Sequence, residues 1–280
     1  MKVVVTGSSG FIGQHVVREL IKNHNVIILT RSKNNILRHD WFEDINYIET
    51  DIYDSFNFSK NFDIKPDALV HLSWQGIPHY KDKKHVSVYY DQNLRFLKAA
   101  IDYGIENIAI TGSCLEYGLR EGELDEKDYT EPVTEYGKAK DMLRKKLQRL
   151  ANDQVALKWI RLFYMYGEGQ NPKSLIPQLH VAHKENKKIF GISSAEHIRD
   201  FMKVEEIANF ICQAIDNTDI NGVINCCSGN PIRLGEFLKN YCDMMGINIE
   251  IKSGLYPEND YEPRAFWGKR GKMNKILNNE

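Results

Sequence analysis

A chain of 280 residues with 42% hydrophobic and 27% charged residues can bury a full core, as one large domain or two closely joined ones. A net charge of -1 leaves no basic surplus to neutralise phosphates, which excludes a general nucleic-acid or anionic-membrane binder. The five cysteines (Cys114, Cys212, Cys226, Cys227, Cys242) lack the paired short spacing of a zinc site, so buried free thiols and no metal are expected.

Lys2 to Thr6 is a β-branched apolar run that predicts a strand from the start of the chain. No charged, apolar and small-residue leader precedes it, and no apolar run approaches a membrane span; a cytoplasmic protein is expected. The turn Gly7-Ser8-Ser9-Gly10-Phe11-Ile12-Gly13 follows, then helical spacing of Ile12, Val16, Leu20 and of Val17, Ile21. A glycine trio between a strand and a helix suits a dinucleotide pyrophosphate. The first glycine permits the tight turn, the second admits the phosphates, and the third lets helix and strand pack. Free amides and the positive helix end would face the pyrophosphate.

Val26 to Thr30 predicts the second strand. An acidic residue after it would grip the adenosine ribose of NAD, but this chain has Arg31 and Lys33 there. Two cations with no carboxylate among Leu29 to Lys33 favour a 2′-phosphate, hence NADP(H), with NAD(H) as the alternative. Asn46 to Glu49, Ala68 to Leu72, Asn107 to Thr111 and Ala156 to Phe163 predict further strands. Leu94 to Tyr103 and Tyr136 to Ala151 predict helices. Strands alternating with helices imply a Rossmann-type doubly wound parallel sheet, with ligands at the carboxyl ends of its strands. The alternation assigns 1–166 to a dinucleotide-binding domain. From residue 167 prolines and glycines become frequent, which predicts a smaller, irregular substrate lobe over 167–280; the chain is expected to return to the first domain at about 198–217.

Tyr136 and Lys140 stand four apart on a predicted helix and therefore share a face. At about 4 Å and an effective dielectric of roughly 20, an ammonium favours a phenolate by about 4 kcal/mol. That would bring a phenol from about 10 to near neutrality, poised for acid/base work on a carbonyl. Ser113, at the end of a predicted strand, would hold the same oxygen.

The glycine turn together with Ser113, Tyr136 and Lys140 resembles the extended short-chain dehydrogenase/reductase family, the NAD-dependent epimerase/dehydratase group acting on sugar nucleotides. The resemblance runs along nearly the whole chain. It implies cofactor contacts at Gly7, Ser9, Gly10, Phe11, Ile12, Gly13, Asp51, Ile52, Leu72, Ser73, Trp74, Asn93, Thr111 and Phe163, besides Tyr136 and Lys140. It implies substrate contacts at Trp74, Tyr80 and Ser113, and at Tyr164, where many relatives carry an asparagine that helps hold the nucleotide sugar, with Arg199 and then Arg264 as candidates for the substrate diphosphate. A homodimer through the helix bearing Tyr136 and its neighbour is also implied.

Members that dehydrate the sugar carry an aspartate-glutamate pair where this chain has Cys114 and Leu115. Members that epimerise C3 and C5 carry a cysteine at the position of Leu115 and a histidine at about Ser174. The chain is most similar to 4-keto-6-deoxy sugar-nucleotide reductases, which make fucose- or abequose-type sugars for bacterial surface glycans. NADPH-dependent reduction of a dTDP- or CDP-linked 4-keto-6-deoxyhexose is therefore expected. The alternatives are a C4-epimerase with tightly held NAD and a non-catalytic NADP-sensing protein. The last typically loses the tyrosine or lysine, and this chain keeps both.

Overall fold

The computed structural model describes residues 1–54, 56–151 and 154–278. In the first half the chain runs β1 (Lys2–Thr6), α1 (Phe11–Leu20), β2 (Asn25–Thr30), β3 (Asn46–Glu49), α2 (Phe58–Asn61), β4 (Ala68–His71), α3 (Tyr90–Asp102) and β5 (Asn107–Ser113). It continues through β6 (Gly122–Leu124), α4 (Glu135–Leu150), β7 (Ala156–Leu162), β8 (Tyr164–Tyr166), α5 (Leu175–Lys184), β9 (Ile189–Gly191), β10 (Ile198–Lys203) and α6 (Val204–Asp216). The last elements are β11 (Gly222–Cys226), β12 (Pro231–Arg233), α7 (Leu234–Met245), β13 (Glu250–Lys252), β14 (Phe266–Gly268) and α8 (Gly271–Asn278).

Seven strands form a parallel sheet in the order β11-β7-β5-β4-β1-β2-β3. Burial on both faces explains the apolar runs of β1, β2 and β4. Val3 and Val5 point to one side, where they meet Val16, Val17 and Leu20 of α1, Phe210 and Ile211 of α6 and Met273 of α8. Val4 points to the other, with Phe96 and Leu97 of α3 and Leu143 and Leu147 of α4. The strand order reverses between β4 and β1, and this switch point leaves a crevice at the carboxyl ends. The doubly wound fold expected from the alternation is present. No helix among the described residues is long and apolar enough to cross a membrane.

The expected irregularity after residue 167 is not what the chain does. Helices α5, α6 and α7 are regular, because the helix breakers sit where helices tolerate them. Pro177 lies in the first turn of α5, where its missing N–H would have no partner. Gly246 closes α7 with a left-handed φ of 66°. The chain also re-enters the central layer more fully than 198–217: α6, β11 and α8 all contribute to its core. The smaller lobe has its own core around Leu179, Phe190, Phe237 and Leu238.

Asp200 ties the two parts together. Its buried carboxylate accepts the backbone N–H groups of Ser228 at 2.6 Å, Gly229 at 2.9 Å and Gly268 at 3.2 Å. A carboxylate sharing three amides fixes the loop after β11 and the strand β14 against β10.

Candidate active site

The glycine turn does what its spacing requires. Gly7 has φ 75°, and a Cβ there would lie 2.8 Å from the Ser73 amide nitrogen. At Gly13 a Cβ would run into the Gly7 carbonyl, so α1 packs directly on the turn. Helix α1 starts at Gly10 with no side-chain cap and no acid in its first turn, which leaves its amides for an anion. The turn opens into a groove of about 250 Å³ lined by Ser9, Gly10, Arg31, Asp51, Leu72, Ser73 and Trp74, among others. A turn whose glycines leave no room for a Cβ, uncapped amides and an absence of acid in the first turn all fit a dinucleotide pyrophosphate.

The remaining cofactor candidates divide. Ile52 lines the groove, while Phe11, Ile12 and Gly13 form the helical turn behind it. Asn93 is fully buried beneath the groove, and its Oδ1 accepts from His71 Nε2 at 2.8 Å. Its amide donates to the Tyr89 carbonyl at 2.7 Å, which leaves His71 Nδ1 to accept from Thr6 Oγ1 at 2.9 Å. Burial holds His71 at a pKa of about 3, so it is neutral and structural. Phe163 packs with Cys114, Tyr117 and Phe266 instead of facing the groove. Lys33 also turns away: its ammonium lies 5.4 Å from the Phe42 ring centroid and 5.9 Å from that of Tyr47. Its backbone N–H donates to Glu49 at 2.7 Å, so β3 brings a carboxylate to a loop expected to have none.

Ser113, Tyr136 and Lys140 converge where β5 ends against α4. Thr134 caps α4 by accepting the Gly137 N–H at 3.0 Å, and Gly137 lets the helix approach the Leu115 carbonyl. Ser113 Oγ accepts the Leu115 N–H at 3.2 Å, which leaves its own proton to donate. Tyr136 sits among the rings of Trp74, Tyr80 and His85, with centroids 5.4 to 5.9 Å away. Lys140 Nζ donates to the Thr111 carbonyl at 2.7 Å and lies 4.1 Å from the Trp74 ring centroid.

These surroundings correct the expected electrostatics. Burial, followed by Tyr80, Glu116 and Cys114, pushes the Tyr136 phenol up, against the smaller opposing effect of a hydrogen bond with Ser113. Burial pulls Lys140 down to about 7, partly opposed by Glu116. The pair shares a face as its spacing demands, with Lys140 Nζ 5.9 Å from the Tyr136 ring centroid, but desolvation dominates both groups.

Sequence reasoning missed Glu116. It is fully buried and accepts the Ser113 N–H at 2.9 Å, Trp159 Nε1 at 2.8 Å and Arg161 Nε at 2.8 Å. The signal was available, since Ser-x-x-Glu is the spacing of a capping box.

The substrate candidates form two groups. Trp74, Tyr80 and Ser113 surround Tyr136, while Tyr164 lies 5.5 Å from the Arg199 guanidinium. Arg199 does not present itself to a diphosphate. It is buried, donates to the carbonyls of Ile198 at 2.9 Å and Arg264 at 3.0 Å, and pairs with Glu262 at 3.2 Å. Arg264 itself is exposed.

Residues 3–227 match the family model described as "NAD dependent epimerase/dehydratase family". The dTDP-6-deoxy-L-talose 4-dehydrogenase (NAD(+)) of Aggregatibacter actinomycetemcomitans is 28% identical over 275 residues, 96% of this chain and 100% of that protein. The UDP-glucose 4-epimerase of Lactobacillus helveticus is 25% identical over 99% of this chain and 91% of its own length. Among solved structures, the UDP-N-acetylglucosamine 4-epimerase of Methanobrevibacter ruminantium M1 superposes with a TM-score of 0.85 at 24% identity, covering 98% and 91% of the two chains.

A reduction in which Tyr136 gives up its proton leaves negative charge on the phenol oxygen, which the Lys140 ammonium stabilises. The ammonium predominates below about 7 and is lost above it, while the raised Tyr136 phenol stays protonated throughout. The kcat/KM for carbonyl reduction should therefore fall as pH rises through about 7, with that limb absent in Lys140→Met. A profile that rises through the same range would contradict this assignment.

Proposed function

The chain belongs to the NAD-dependent epimerase/dehydratase family, and on that footing we propose that it exchanges hydrogen between a nicotinamide dinucleotide and C4 of a nucleotide-linked 6-deoxyhexose, in the direction of 4-keto reduction. The observation that carries this reading is the set of proton carriers at the end of β5. Tyr136 and Ser113 converge there, whereas the neighbouring groups are unsuited to removing a proton from carbon. Cys114 is buried with its thiol pushed up by desolvation, Leu115 is apolar, and Glu116 is enclosed by Trp159 and Arg161. Glu262 is occupied by the Arg199 guanidinium. The 28% identical relative is named as a 4-dehydrogenase of a dTDP-linked 6-deoxyhexose, and a dehydrogenase run backwards is a ketoreductase.

The bound cofactor supplies hydride chemistry. The chain's own groups manage the substrate oxygen. Ser113 donates its remaining proton to that oxygen, and Tyr136 delivers a proton to it as charge develops. The Lys140 ammonium faces the resulting phenolate, and the aromatic wall of Trp74, Tyr80 and His85 keeps water from the pair.

The choice between NADH and NADPH rests on Arg31, the one cation of the expected pair that lines the groove. A 2′-phosphate would gain a charge-assisted hydrogen bond worth roughly 1.5–3 kcal/mol, with the Glu49 carboxylate opposing it nearby. Arg31→Ala should weaken NADPH by roughly 10- to 100-fold and leave NADH nearly unchanged in a binding titration. Equal losses for both cofactors would place the Arg31 contact elsewhere.

A second reading, C4 epimerisation with retained NAD, is favoured by the 25% identity to a UDP-glucose 4-epimerase. One experiment separates the two. The enzyme is run in heavy water with dTDP-, CDP- and UDP-linked 4-keto-6-deoxyhexoses, following reduced-nicotinamide absorbance and product mass. Reduction predicts one cofactor oxidised per sugar and no deuterium on C3 or C5. Inversion of a 4-hydroxyl sugar nucleotide, supplied in a parallel reaction, without net cofactor loss would favour the epimerase, and deuterium on either carbon above a no-enzyme control would contradict simple reduction.

A further inference from the structure

Trp74 stands between the cofactor groove and the catalytic pair. It lines the groove, while its ring also lies 4.1 Å from Lys140 Nζ and edge-on to Tyr136 at 5.9 Å. An indole has one hydrogen-bond donor and no acceptor, so its orientation follows whatever takes that proton. Trp74 Nε1 donates to Nδ1 of His85 at 3.0 Å, and His85 Nε2 lies 3.1 Å from the His79 carbonyl. The two contacts set the tautomer: Nδ1 must offer a lone pair to the indole, and the carbonyl can only accept from Nε2–H.

His85 is fully buried in the π-helical turn before α3. Gly76 makes room for it, since a Cβ there would come within 3.0 Å of His85 Cε1. Its ring centroid is 5.4 Å from that of Tyr136 and 5.5 Å from that of Tyr89. The charged groups that act on it are Lys140 and Glu135 of α4 and Asp82 of the preceding loop.

On the reading that Tyr136 and Lys140 carry the reaction, we infer that His85 is a positioning residue. Its Nδ1 lone pair holds the Trp74 indole in the plane that covers Lys140 and buttresses Tyr136, and so sets how the groove meets the proton donor. Burial keeps the His85 imidazole below the ordinary histidine range, against the raising effect of its bond to the His79 carbonyl. The lock is thus complete at neutral pH. It opens on the acid side, when a proton on Nδ1 removes the acceptor.

The test compares His85→Leu and His85→Asn, each with Trp74 present and in a Trp74→Phe background. His85→Leu should lower kcat roughly 10- to 100-fold with little change in the dissociation constant of the reduced nicotinamide cofactor. His85→Asn, whose amide oxygen can take the indole proton, should recover most of that loss. In the Trp74→Phe background His85→Leu should cost nothing more, because its effect runs through the indole. Equal losses in both backgrounds, or an Asn variant no better than Leu, would overturn the proposal. A second readout needs no sugar and stands even if the proposed substrate is wrong. The emission assigned to Trp74, taken as wild type minus Trp74→Phe, should change on acidification below the usual histidine range. That change should vanish in His85→Asn; its persistence there would overturn the proposal.

Discussion

The buried carboxylate of Glu116 is the contact on which the geometry of the site depends. It has no exposure to solvent, and its partners come from several elements: the Ser113 amide of β5 and the Trp159 and Arg161 side chains of β7. Arg144 of α4 approaches it at 3.8 Å. A polar group in such a place carries a large desolvation cost, so its orientation is dictated by the donors that offset it. Gly112 belongs to the same arrangement, because a Cβ there would collide with the Trp159 indole and the Glu116 carboxylate. The ends of β5 and β7 and the flank of α4 are thereby fixed relative to one another. Ser113, Tyr136 and Lys140 inherit their positions from that junction.

The same enclosure governs the chemistry. A tyrosine and a lysine on one helical face would attract each other's charged forms in water-like surroundings. Here the rings of Trp74, Tyr80 and His85 exclude water, and desolvation favours the neutral form of both groups. The result is a phenol that holds its proton until a substrate oxygen claims it, beside an amine near its own midpoint at neutral pH. Such a pair suits reduction, in which Tyr136 must arrive protonated.

Much of this was legible in the sequence, for local reasons. The β-branched runs marked the strands because a sheet buried on both faces needs apolar residues throughout. The glycine turn was legible because backbone conformation and close approach exclude other residues at Gly7 and Gly13. The Tyr136–Lys140 face followed from helical spacing alone. What escaped depends on contacts distant in sequence. Arg199 reads as a phosphate anchor until Glu262 and the Arg264 carbonyl, over 60 positions later, are seen to hold it. Lys33 reads as a phosphate ligand until Phe42 and Tyr47 fold beneath its ammonium. His85 carries no motif at all; its role appears only when the loop from Trp74 to Tyr80 wraps around it.

The account stands on Tyr136 as the group that delivers the proton. Replacing it with phenylalanine keeps the ring among Trp74, Tyr80 and His85 and removes only the hydroxyl. Turnover of the 4-keto sugar should fall by about two to four orders of magnitude while the reduced nicotinamide cofactor binds as before. A Tyr136→Phe enzyme that turns over at near the wild-type rate would contradict the account.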